Sequence, residues 1–295
     1  MDGYEARLFF TEIQEIGMVD LHLHSTYSDG TQEPVSLVFQ ALFNHLSYIS
    51  ITDHDTLEAY DNLDSINLYN LQLITQKSDV VLNLLPGIEI STVWQDKTLH
   101  LLAYFPEHTQ AKLLPFLDEQ LETRAQRNIT LGTKLRELGY PLPKDFFTKA
   151  SMGRSHVARW LVENGYFTDI ESVFNNLLTP GKPGYVARKP LSLEVAINEV
   201  RSVGGVPVVA HPHLYGWVDD ANSTKKLERK LAELKEIGLL GVETIHSSSS
   251  QRQREQLAKV AKKLKLASTA GSDYHGENKK NHEMFSALPD YFYRR

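Results

Sequence analysis

Histidine and acidic residues recur in this sequence at spacings typical of metal ligands. His22 and His24 stand two residues apart in a segment that alternates like a β-strand, so both imidazoles face the same side. The same spacing returns near the C-terminus in Asp273 and His275, which follow the predicted strand 266–270. Two ligands on one side of a strand can hold one divalent ion. A single pair of this kind is more often structural, so the metal hypothesis depends on the rest of the sequence.

Other polar residues follow or interrupt the apolar strands. His54 comes directly after a short apolar strand, and Asp29 stands in a turn-like segment. Glu89 lies within an apolar strand, where a carboxylate costs several kcal/mol unless it is paired or bound to a metal ion. His100 and His211 lie in or at the end of equally apolar segments. The candidate metal ligands are therefore His22, His24, Asp29, His54, Glu89, His100, His211, Asp273 and His275.

These ligand types indicate a centre with more than one metal ion. Imidazole and carboxylate ligands without sulfur suit Mn²⁺, Zn²⁺ or Fe²⁺, and the chain contains no cysteine. A catalytic zinc ion commonly takes about three protein ligands and keeps one position open, so this larger set implies two or three ions. Such a centre lowers the pKa of bound water and binds both the attacking and the leaving oxygen of a phosphoryl group. Hydrolysis of phosphate esters is therefore the predicted chemistry.

The elements that must position these residues alternate between strands and helices. The predicted strands are 18–24, 48–52, 80–85, 87–91, 98–105, 206–210, 240–245 and 266–270. The predicted helices between them are 33–45, a polar stretch that ends near residue 76, 193–203, 224–237 and 251–264. This alternation predicts an α/β fold, either a TIM-like barrel or a doubly wound sheet. A barrel gathers its strand ends on one face, where the candidate ligands would meet, so we expect the barrel.

A helical segment interrupts this alternation. Residues 109–139 and 151–165 are amphipathic and helical with no convincing strand between them, and a segment rich in Pro and Gly follows at 179–190. The predicted domains are an N-terminal extension at 1–17, a barrel formed by 18–106 and 191–295, and a helical insertion at 107–190.

Composition excludes several classes of protein. Of the 295 residues, 41% are hydrophobic, which suffices for a core without disulfide or metal support. The lack of cysteine excludes a disulfide framework, a thiolate zinc finger, an iron–sulfur cluster and a catalytic thiol. The N-terminus has no signal-peptide pattern and no apolar run reaches about twenty residues, so we expect a cytoplasmic protein without a membrane partner. The net charge of −6 argues against binding to duplex DNA.

Six short motifs in a fixed order link the sequence to a known family. H-x-H, S-D-G, T-D-H-D, P-G-x-E, A-H-P and G-S-D-x-H occur in this order between residues 18 and 276. In this combination the sequence resembles the PHP (polymerase and histidinol phosphatase) family of metallophosphoesterases. Within it, the sequence is most similar to the 3′,5′-nucleotide bisphosphate phosphatases and 5′→3′ oligoribonucleases. This closer similarity rests on LPGIEISTVW at 85–94, LHLL at 99–102, and an insertion that carries Arg124, Arg127, Arg154 and His156.

The resemblance implies a particular fold and set of ligands. The fold would be a distorted (β/α)₇ TIM-like barrel with a helical insertion and three divalent ions at its mouth. Mn²⁺ is the expected metal, with Zn²⁺ or Fe²⁺ as alternatives. By resemblance, one ion would be held by His22, His24 and Asp273, a second by Asp29, His54 and His275, and a third by His100 and His211, with Glu89 bridging the first and third.

The resemblance also implies a substrate with a 5′-phosphorylated terminus, either a nucleoside 3′,5′-bisphosphate or a short RNA. A hydroxide activated by the metals would attack the 5′-phosphorus, while Asp29 and His54 orient the water or the leaving group. The insertion residues Arg124, Arg127, Arg154 and His156 would bind the 3′-phosphate or the next phosphodiester, since Arg suits bidentate contacts. On the residues alone, a solvated helix face is an equally good explanation for the first two of these arginines.

Two departures from the family pattern and three alternatives stay open. His213-Leu214 follow A-H-P where the family has Gly-Arg, so one cationic phosphate contact is absent or replaced by His213. His246 ends an apolar strand and is a candidate for lining the pocket.

The alternative activities are a histidinol-phosphate type of monoesterase and a cyclic phosphodiesterase. The alternative of another class is an inactive nucleotide-binding module, which the complete ligand set disfavours.

Overall fold

The computed structural model describes residues 1–63, 82–148, 152–187, 191–218, 223–279 and 282–286. The strands are β1 Met18–Leu23, β2 Leu46–Ile51, β3 Asn83–Leu84, β4 Gly87–Trp94, β5 Lys97–Tyr104, β6 Val206–Val209, β7 Gly241–His246 and β8 Ala267–Gly271. The α-helices are α1 Gly3–Ile16, α2 Pro34–Phe43, α3 Glu58–Leu63, α4 Leu114–Glu137, α5 Arg154–Glu163, α6 Ile170–Val173, α7 Leu193–Ser202, α8 Ser223–Glu236 and α9 Gln251–Leu264. Most of the helical stretch predicted to end near residue 76, and the first two residues of the strand predicted at 80–85, lie outside the described residues.

The strands form two sheets in a mixed α/β fold. A parallel three-stranded sheet has the order β1-β2-β3, and a five-stranded sheet has the order β4-β5-β6-β7-β8. In the larger sheet β6, β7 and β8 are parallel, whereas β5 runs antiparallel to both β4 and β6. The alternation of strands and helices thus correctly predicts an α/β class, but it does not predict the two antiparallel pairs.

The antiparallel pair β4-β5 results from a tight turn. Trp94 pairs with Lys97, so only Gln95 and Asp96 connect the strands. Both connecting residues have positive φ, 49° and 61°, as a type I′ hairpin turn requires. Because Gln-Asp is not the Asn-Gly or Asp-Gly pair that usually indicates this turn, the sequence gives little warning of the hairpin.

The three-stranded sheet contacts the five-stranded sheet at both edges of the larger sheet. At one edge Leu23 and Tyr274 form a parallel bridge, next to a hydrogen bond of 2.9 Å from the Asp273 N–H to the His22 carbonyl. At the other edge His54 and Glu89 form a parallel bridge. These bridges bring together the chain segments that carry the candidate ligands.

The N-terminal extension forms a helix that contributes to the core. Asp2 caps α1 by accepting hydrogen bonds from backbone N–H groups, and Glu5 completes a capping box. On the buried side of the helix, Phe10 packs edge to face against Tyr104 at 5.3 Å. Residues 1–17 therefore belong to the core of the sheet unit, although their mixed polar sequence gave no clear indication of it.

The contacts of the described residues divide the chain into two compact units. One comprises 1–114 and 191–295, and contains both sheets. The other, 115–190, has its own apolar core and no strand among its described residues 115–148 and 152–187. Its core residues are Leu131, Leu135, Leu142, Val157, Ala158, Leu161, Val173, Leu177 and Leu178. No helix among the described residues has the length and apolar character needed to cross a membrane.

Candidate metal centre

All the candidate ligands lie in the sheet unit, within or just after its strands. His22 and His24 lie at the end of β1, and Asp273 and His275 follow β8. Among the described residues, four groups of side chains are close enough to share a metal ion. Three of these groups consist entirely of predicted ligands: His22, His24, Glu89 and Asp273; His24, Asp29, His54 and His275; and His54, Glu89 and His100.

The first group is the most deeply buried. The Nε2 atom of His24 lies 3.1 Å from Oε2 of Glu89 and 3.4 Å from Oδ1 of Asp273. The Nε2 atom of His22 lies 3.4 Å and 3.5 Å from the same two oxygens. Two imidazole nitrogens and two carboxylate oxygens therefore point towards one place in the interior.

The second group is centred on Asp29. Its Oδ1 atom lies 3.1 Å from Nε2 of His275 and 3.8 Å from Nε2 of His54. The rings of His24 and His275 stack at 4.0 Å, so the second group adjoins the first.

Glu89 connects the first group with a third. Its Oε1 atom lies 2.9 Å from Nδ1 of His100 and 3.0 Å from Nε2 of His211, while its Oε2 atom faces the first group. Oε2 also lies 3.1 Å from Nδ1 of His54. The two oxygens of one carboxylate are thus divided between two sets of nitrogens, as expected of a bridging ligand.

Buried atoms without hydrogen-bond partners are the best sign that these residues fit metal ions. Among the described residues, Nε2 of His22, Nε2 of His24, Nε2 of His275, Nδ1 of His54 and Oε2 of Glu89 are buried and make no hydrogen bond. Buried polar atoms are normally hydrogen-bonded. These four nitrogens and one oxygen lie in the candidate metal groups without hydrogen-bond geometry, which is the arrangement expected of atoms that ligate metal ions.

The tautomers of three histidines also suit metal binding. Nδ1 of His22 lies 2.9 Å from Oε1 of Glu243, and Nδ1 of His275 lies 2.8 Å from the backbone carbonyl of Asp273. Both acceptors require a proton on Nδ1, which leaves the lone pair on Nε2. His24 follows the same rule, with Nδ1 3.3 Å from the hydroxyl of Ser28. Metal-binding histidines almost always donate their other ring N–H in this way.

The electrostatic environment keeps the carboxylates ionised. Burial alone would raise the pKa of Glu89, but His100 and His54 hold it well below its usual range. Burial likewise opposes ionisation of Asp273, whose pKa Lys279 and His275 hold well below normal. Carboxylates must be ionised and imidazoles neutral to bind metal.

The backbone at two candidate ligands is also unusual. His211 and Asp273 have positive φ values of 30° and 57°, in the left-handed region that non-glycine residues rarely adopt. Such strain costs of order 1–3 kcal/mol and is concentrated at functional sites. The local conformation turns both side chains into the candidate metal centre at the ends of β6 and β8.

Two buried carboxylates hold the candidate ligands in position, and the sequence did not single them out. Glu243 in β7 accepts from Nδ1 of His22 and, through Oε2, from the His211 N–H at 2.6 Å. Asp53 accepts from the Ser25 N–H at 2.7 Å and from the Ser28 hydroxyl at 2.5 Å. The cost of burying a carboxylate in an apolar strand, which singled out Glu89, applies equally to Glu243.

The predicted substrate-binding residues lie together in the helical unit. A Cβ atom at Gly153 would lie 3.7 Å from Nη1 of Arg124 and 3.7 Å from Nη2 of Arg127, so both guanidinium groups face the N-terminus of α5. At the same place Nδ1 of His156 accepts a hydrogen bond of 3.3 Å from the Gly153 N–H. Arg154 instead donates to the Leu178 carbonyl at 3.2 Å.

Known proteins resemble the chain over most of its length, although no family model matches it. A 5′-3′ exoribonuclease Rnm from Escherichia coli (strain K12) is 34% identical over 260 residues, which cover 87% of this chain and 84% of that protein. A 3′,5′-nucleoside bisphosphate phosphatase from Chromobacterium violaceum is 29% identical over 262 residues, covering 87% of each.

Two solved structures share the fold. One is described as a metal-dependent phosphoesterase from Bifidobacterium adolescentis, with a TM-score of 0.73, 26% identity and coverage of 94% of both chains. The other, an amidohydrolase from Chromobacterium violaceum with bound sulfate and no metal, has a TM-score of 0.71, 27% identity and coverage of 92% of this chain and 94% of that chain.

The fold and the candidate ligand groups define a metal-dependent hydrolase of phosphate esters. With the exoribonuclease and phosphatase relatives, the chain belongs to the PHP family of metal-dependent phosphoesterases.

Proposed function

We propose that this chain hydrolyses phosphate esters at the 5′ end of nucleotides. The substrates would be nucleoside 3′,5′-bisphosphates, short 5′-phosphorylated RNAs, or both, since relatives are named for each activity. The observation that carries the proposal is Glu89, whose two oxygens face separate sets of histidine nitrogens in a buried centre. A carboxylate divided in this way suits a centre with several ions, which is the kind that cleaves phosphate esters.

The proposed centre holds three divalent ions, with Mn²⁺ expected and Zn²⁺ or Fe²⁺ as alternatives. The first would bind His22, His24 and Asp273, the second Asp29, His54 and His275, and the third His100 and His211, with Glu89 shared by the first and third. Bound divalent ions would supply a water molecule of lowered pKa and would neutralise charge that develops on the phosphoryl group.

Asp29 and His54 are proposed to orient the attacking water or the leaving oxygen. Their side chains are 12% and 17% exposed, whereas those of His22 and His24 are fully buried. They therefore lie on the side of the centre that a substrate can reach. The proximity of His54 Nε2 to Oδ1 of Asp29 suits them to act on the same reacting group.

The strand ends would be gathered by a distorted (β/α)₇ barrel. Support for this finer description comes from the bridges at both edges of the five-stranded sheet, Leu23 with Tyr274 and His54 with Glu89. Such closure would place the ligands of different strands at one mouth.

The helical unit is proposed to bind a second phosphate of the substrate. Two guanidinium groups, from Arg124 and Arg127, face the N-terminus of α5, where backbone N–H groups favour anions. Because Nδ1 of His156 accepts from Gly153, the ring proton lies on Nε2, so His156 offers an N–H donor. Arg154 is the weaker candidate, since its guanidinium contacts Leu178 and the ring of Tyr185.

A substrate comparison tests this function. Phosphate and nucleotide release would be measured with Mn²⁺ on adenosine 3′,5′-bisphosphate, a 5′-phosphorylated short RNA, a cyclic phosphodiester and histidinol phosphate. We expect turnover of the first two, and loss of at least about 100-fold in Asp273→Ala, because removal of a ligand removes an ion. Faster turnover of either of the last two would favour the alternative activities. Binding of the bisphosphate without any product, at full metal content, would favour an inactive binding module.

Variants of the helical unit test its role separately. Arg124→Ala and Arg127→Ala should raise KM for the bisphosphate and the RNA, while leaving turnover of a simple phosphomonoester such as p-nitrophenyl phosphate unchanged. Arg159→Ala, at an arginine of α5 outside the proposed binding set, is the control. Equal loss with every substrate would contradict a role in binding the second phosphate.

A further inference from the structure

The outer oxygen of Asp273 faces a second cluster of nitrogen atoms. Oδ1 of Asp273 points towards the first metal group, whereas Oδ2 lies 2.7 Å from Nζ of Lys279 and 3.4 Å from Nε2 of His246. Nδ1 of His282 lies 3.6 Å from the same Oδ2 atom. His246, Asp273 and His282 form the fourth group that is close enough to hold a metal ion.

The hydrogen bonds of His246 argue against a metal ion in this cluster. The backbone N–H of Ser248 donates to Nδ1 of His246 at 3.1 Å. A backbone amide can only donate, so Nδ1 carries the lone pair and the ring proton lies on Nε2. The atom that faces Asp273 is therefore an N–H donor. It has no lone pair to offer a cation.

The other two groups around Oδ2 are donors as well. Nδ1 of His282 lies 3.3 Å from the backbone carbonyl of Asp273, which can only accept, so this nitrogen also carries its proton. The ammonium group of Lys279 has donors only. Oδ2 is thus faced by three N–H groups, whereas Oδ1 faces the lone pairs on Nε2 of His22 and of His24 as well as the Nδ1–H of His275.

His246 differs in this respect from two of the proposed ligands, His22 and His275. In His22 and His275 an acceptor holds the proton on Nδ1, and the lone pair of Nε2 points into the metal centre. In His246 the pattern is reversed, because a donor occupies Nδ1. Local hydrogen bonding therefore separates histidines that suit metal binding from one that does not, although the ring centroids of His22 and His246 lie only 6.4 Å apart.

We propose that His246 is a positioning residue that holds Asp273 for metal binding through Oδ1 alone. Its Nε2–H, together with Lys279, would hold Oδ2 on the outer side and leave a single oxygen for the ion shared with His22 and His24. This inference rests on the ligand assignment proposed above. It assigns His246 a role outside the metal ligands and predicts no fourth ion.

Two substitutions separate a positioning residue from a ligand. Gln in place of His246 can accept from Ser248 through its carbonyl oxygen and present its amide N–H to Oδ2 of Asp273, so His246→Gln should keep both the hydrogen bond from Ser248 and the polar contact with Asp273. His246→Phe keeps a planar ring of similar size but loses both interactions. Thr244→Val, at a buried residue of the same strand that contacts Thr269, is the control for damage to β7.

The readouts are ion count and metal affinity rather than activity alone. Elemental analysis at saturating Mn²⁺ should give the same ion count for wild type, His246→Gln and His246→Phe. In competition with a chelator, His246→Phe should bind Mn²⁺ about 10- to 100-fold more weakly, as typical for loss of a residue that orients a ligand. His246→Gln should restore most of that affinity, and Thr244→Val should match wild type.

Different outcomes would contradict the role of His246 and the assignment of the metal ligands. Loss of one ion from His246→Gln would identify His246 as a ligand, and unchanged affinity in His246→Phe would remove its positioning role. Asp273→Asn is the arm that tests the ligand assignment. If Asp273→Asn kept every ion at wild-type affinity, the ligand assignment itself would fail. If Asp273→Asn bound metal more weakly but His246→Phe did not, only the role of His246 would be rejected.

Discussion

Glu243 illustrates how a residue outside the ligand set can control the metal centre. One of its oxygens accepts the Nδ1–H of His22 and the other accepts the backbone N–H of His211, so a single side chain orients two proposed ligands. Both oxygens must accept, and only an ionised carboxylate can satisfy both donors. Burial opposes ionisation of Glu243, but His22 and, more weakly, His246 and His211 hold the pKa of this carboxyl below its usual value.

Substitution of Glu243 by Gln should therefore impair metal binding. The amide of Gln has one oxygen and one NH₂ group, so one of the two donors would face another donor. We expect Mn²⁺ affinity to fall about 10- to 100-fold, measured by competition with a chelator. Glu233→Gln removes the same charge from a partly exposed residue of α8 and should have no effect. Wild-type affinity in Glu243→Gln would refute the orienting role.

A second prediction concerns Asp53, which holds the loop that carries Asp29. Asp53→Ala would leave the Ser25 N–H and the Ser25 and Ser28 hydroxyls without their acceptor. Because unsatisfied buried donors are costly, we expect a loss of about 3 kcal/mol in the free energy of unfolding, measured by urea denaturation.

Asn at the same position provides the comparison. Asp53→Asn keeps one acceptor oxygen, and its NH₂ group can donate to a serine hydroxyl, since hydroxyl groups rotate to suit a partner. It should therefore lose less than half as much stability as Asp53→Ala. Equal losses in the two variants would mean that packing, rather than these hydrogen bonds, stabilises the loop.

The sequence revealed the candidate ligands more readily than the residues that orient them. Glu89 and His211 stand out because a polar group in an apolar strand needs an explanation. The orienting role of Glu243 depends on which atoms it contacts, and those contacts join residues distant in sequence. His246 resembles a ligand in sequence, and only the direction of the Ser248 hydrogen bond distinguishes it.

At the scale of elements, Gly271 permits the close approach of β8 to β1. A Cβ atom at this position would lie 2.9 Å from the backbone nitrogen of His22 and 2.8 Å from Oε1 of Glu243, and closer still to the Cβ of His22. A backbone atom cannot move without displacing its strand. The glycine therefore maintains the spacing between two strands whose ends carry proposed ligands.

Gly271→Ala should disturb both stability and metal binding. Overpacking costs about 1–3 kcal/mol, and the displaced strand would move His22 relative to Asp273. We expect a lower midpoint of urea unfolding together with weaker Mn²⁺ binding. Gly3→Ala, where a Cβ would make only an ordinary contact of 3.7 Å, is the control. A variant with wild-type stability and affinity would show that β1 and β8 tolerate a wider spacing.

Elements with a clear apolar period were predicted closely, whereas turns and extensions were not. Helix α9 has the predicted limits, because its apolar stripe is regular and Ser250 caps its first turn. The hairpin between β4 and β5 was missed, since Gln95-Asp96 adopts its turn without glycine. Helix α1 was missed because its apolar residues are spread among acidic ones, and its stability depends on packing against the sheets.

At the scale of the whole molecule, part of the acidic charge belongs to the proposed metal centre. The chain has a formal net charge of −6, and Asp29, Glu89 and Asp273 are acidic residues of that centre. Three bound divalent ions would add about +6 before any bound hydroxide is counted. The acidity of the sequence is therefore a weak argument against an RNA substrate.

The charge of the proposed metal centre also predicts that bound metal ions stabilise the whole fold. Without ions, three ionised carboxylates and several buried imidazoles face one another, and ligands that bind only the folded state stabilise it by mass action. One independent ion at a concentration 100 times its Kd contributes about 2.7 kcal/mol, which corresponds to a rise in Tm of roughly 5–10 °C. Thermal unfolding in chelator and in increasing Mn²⁺ measures this rise.

Two variants provide the comparison. Glu233→Gln should show the full shift in Tm, whereas Asp273→Asn should show a smaller one, because Asp273→Asn weakens a ligand at the centre of the first group. A Tm independent of Mn²⁺ in the wild type would mean that these ligands do not bind the ion in the folded state.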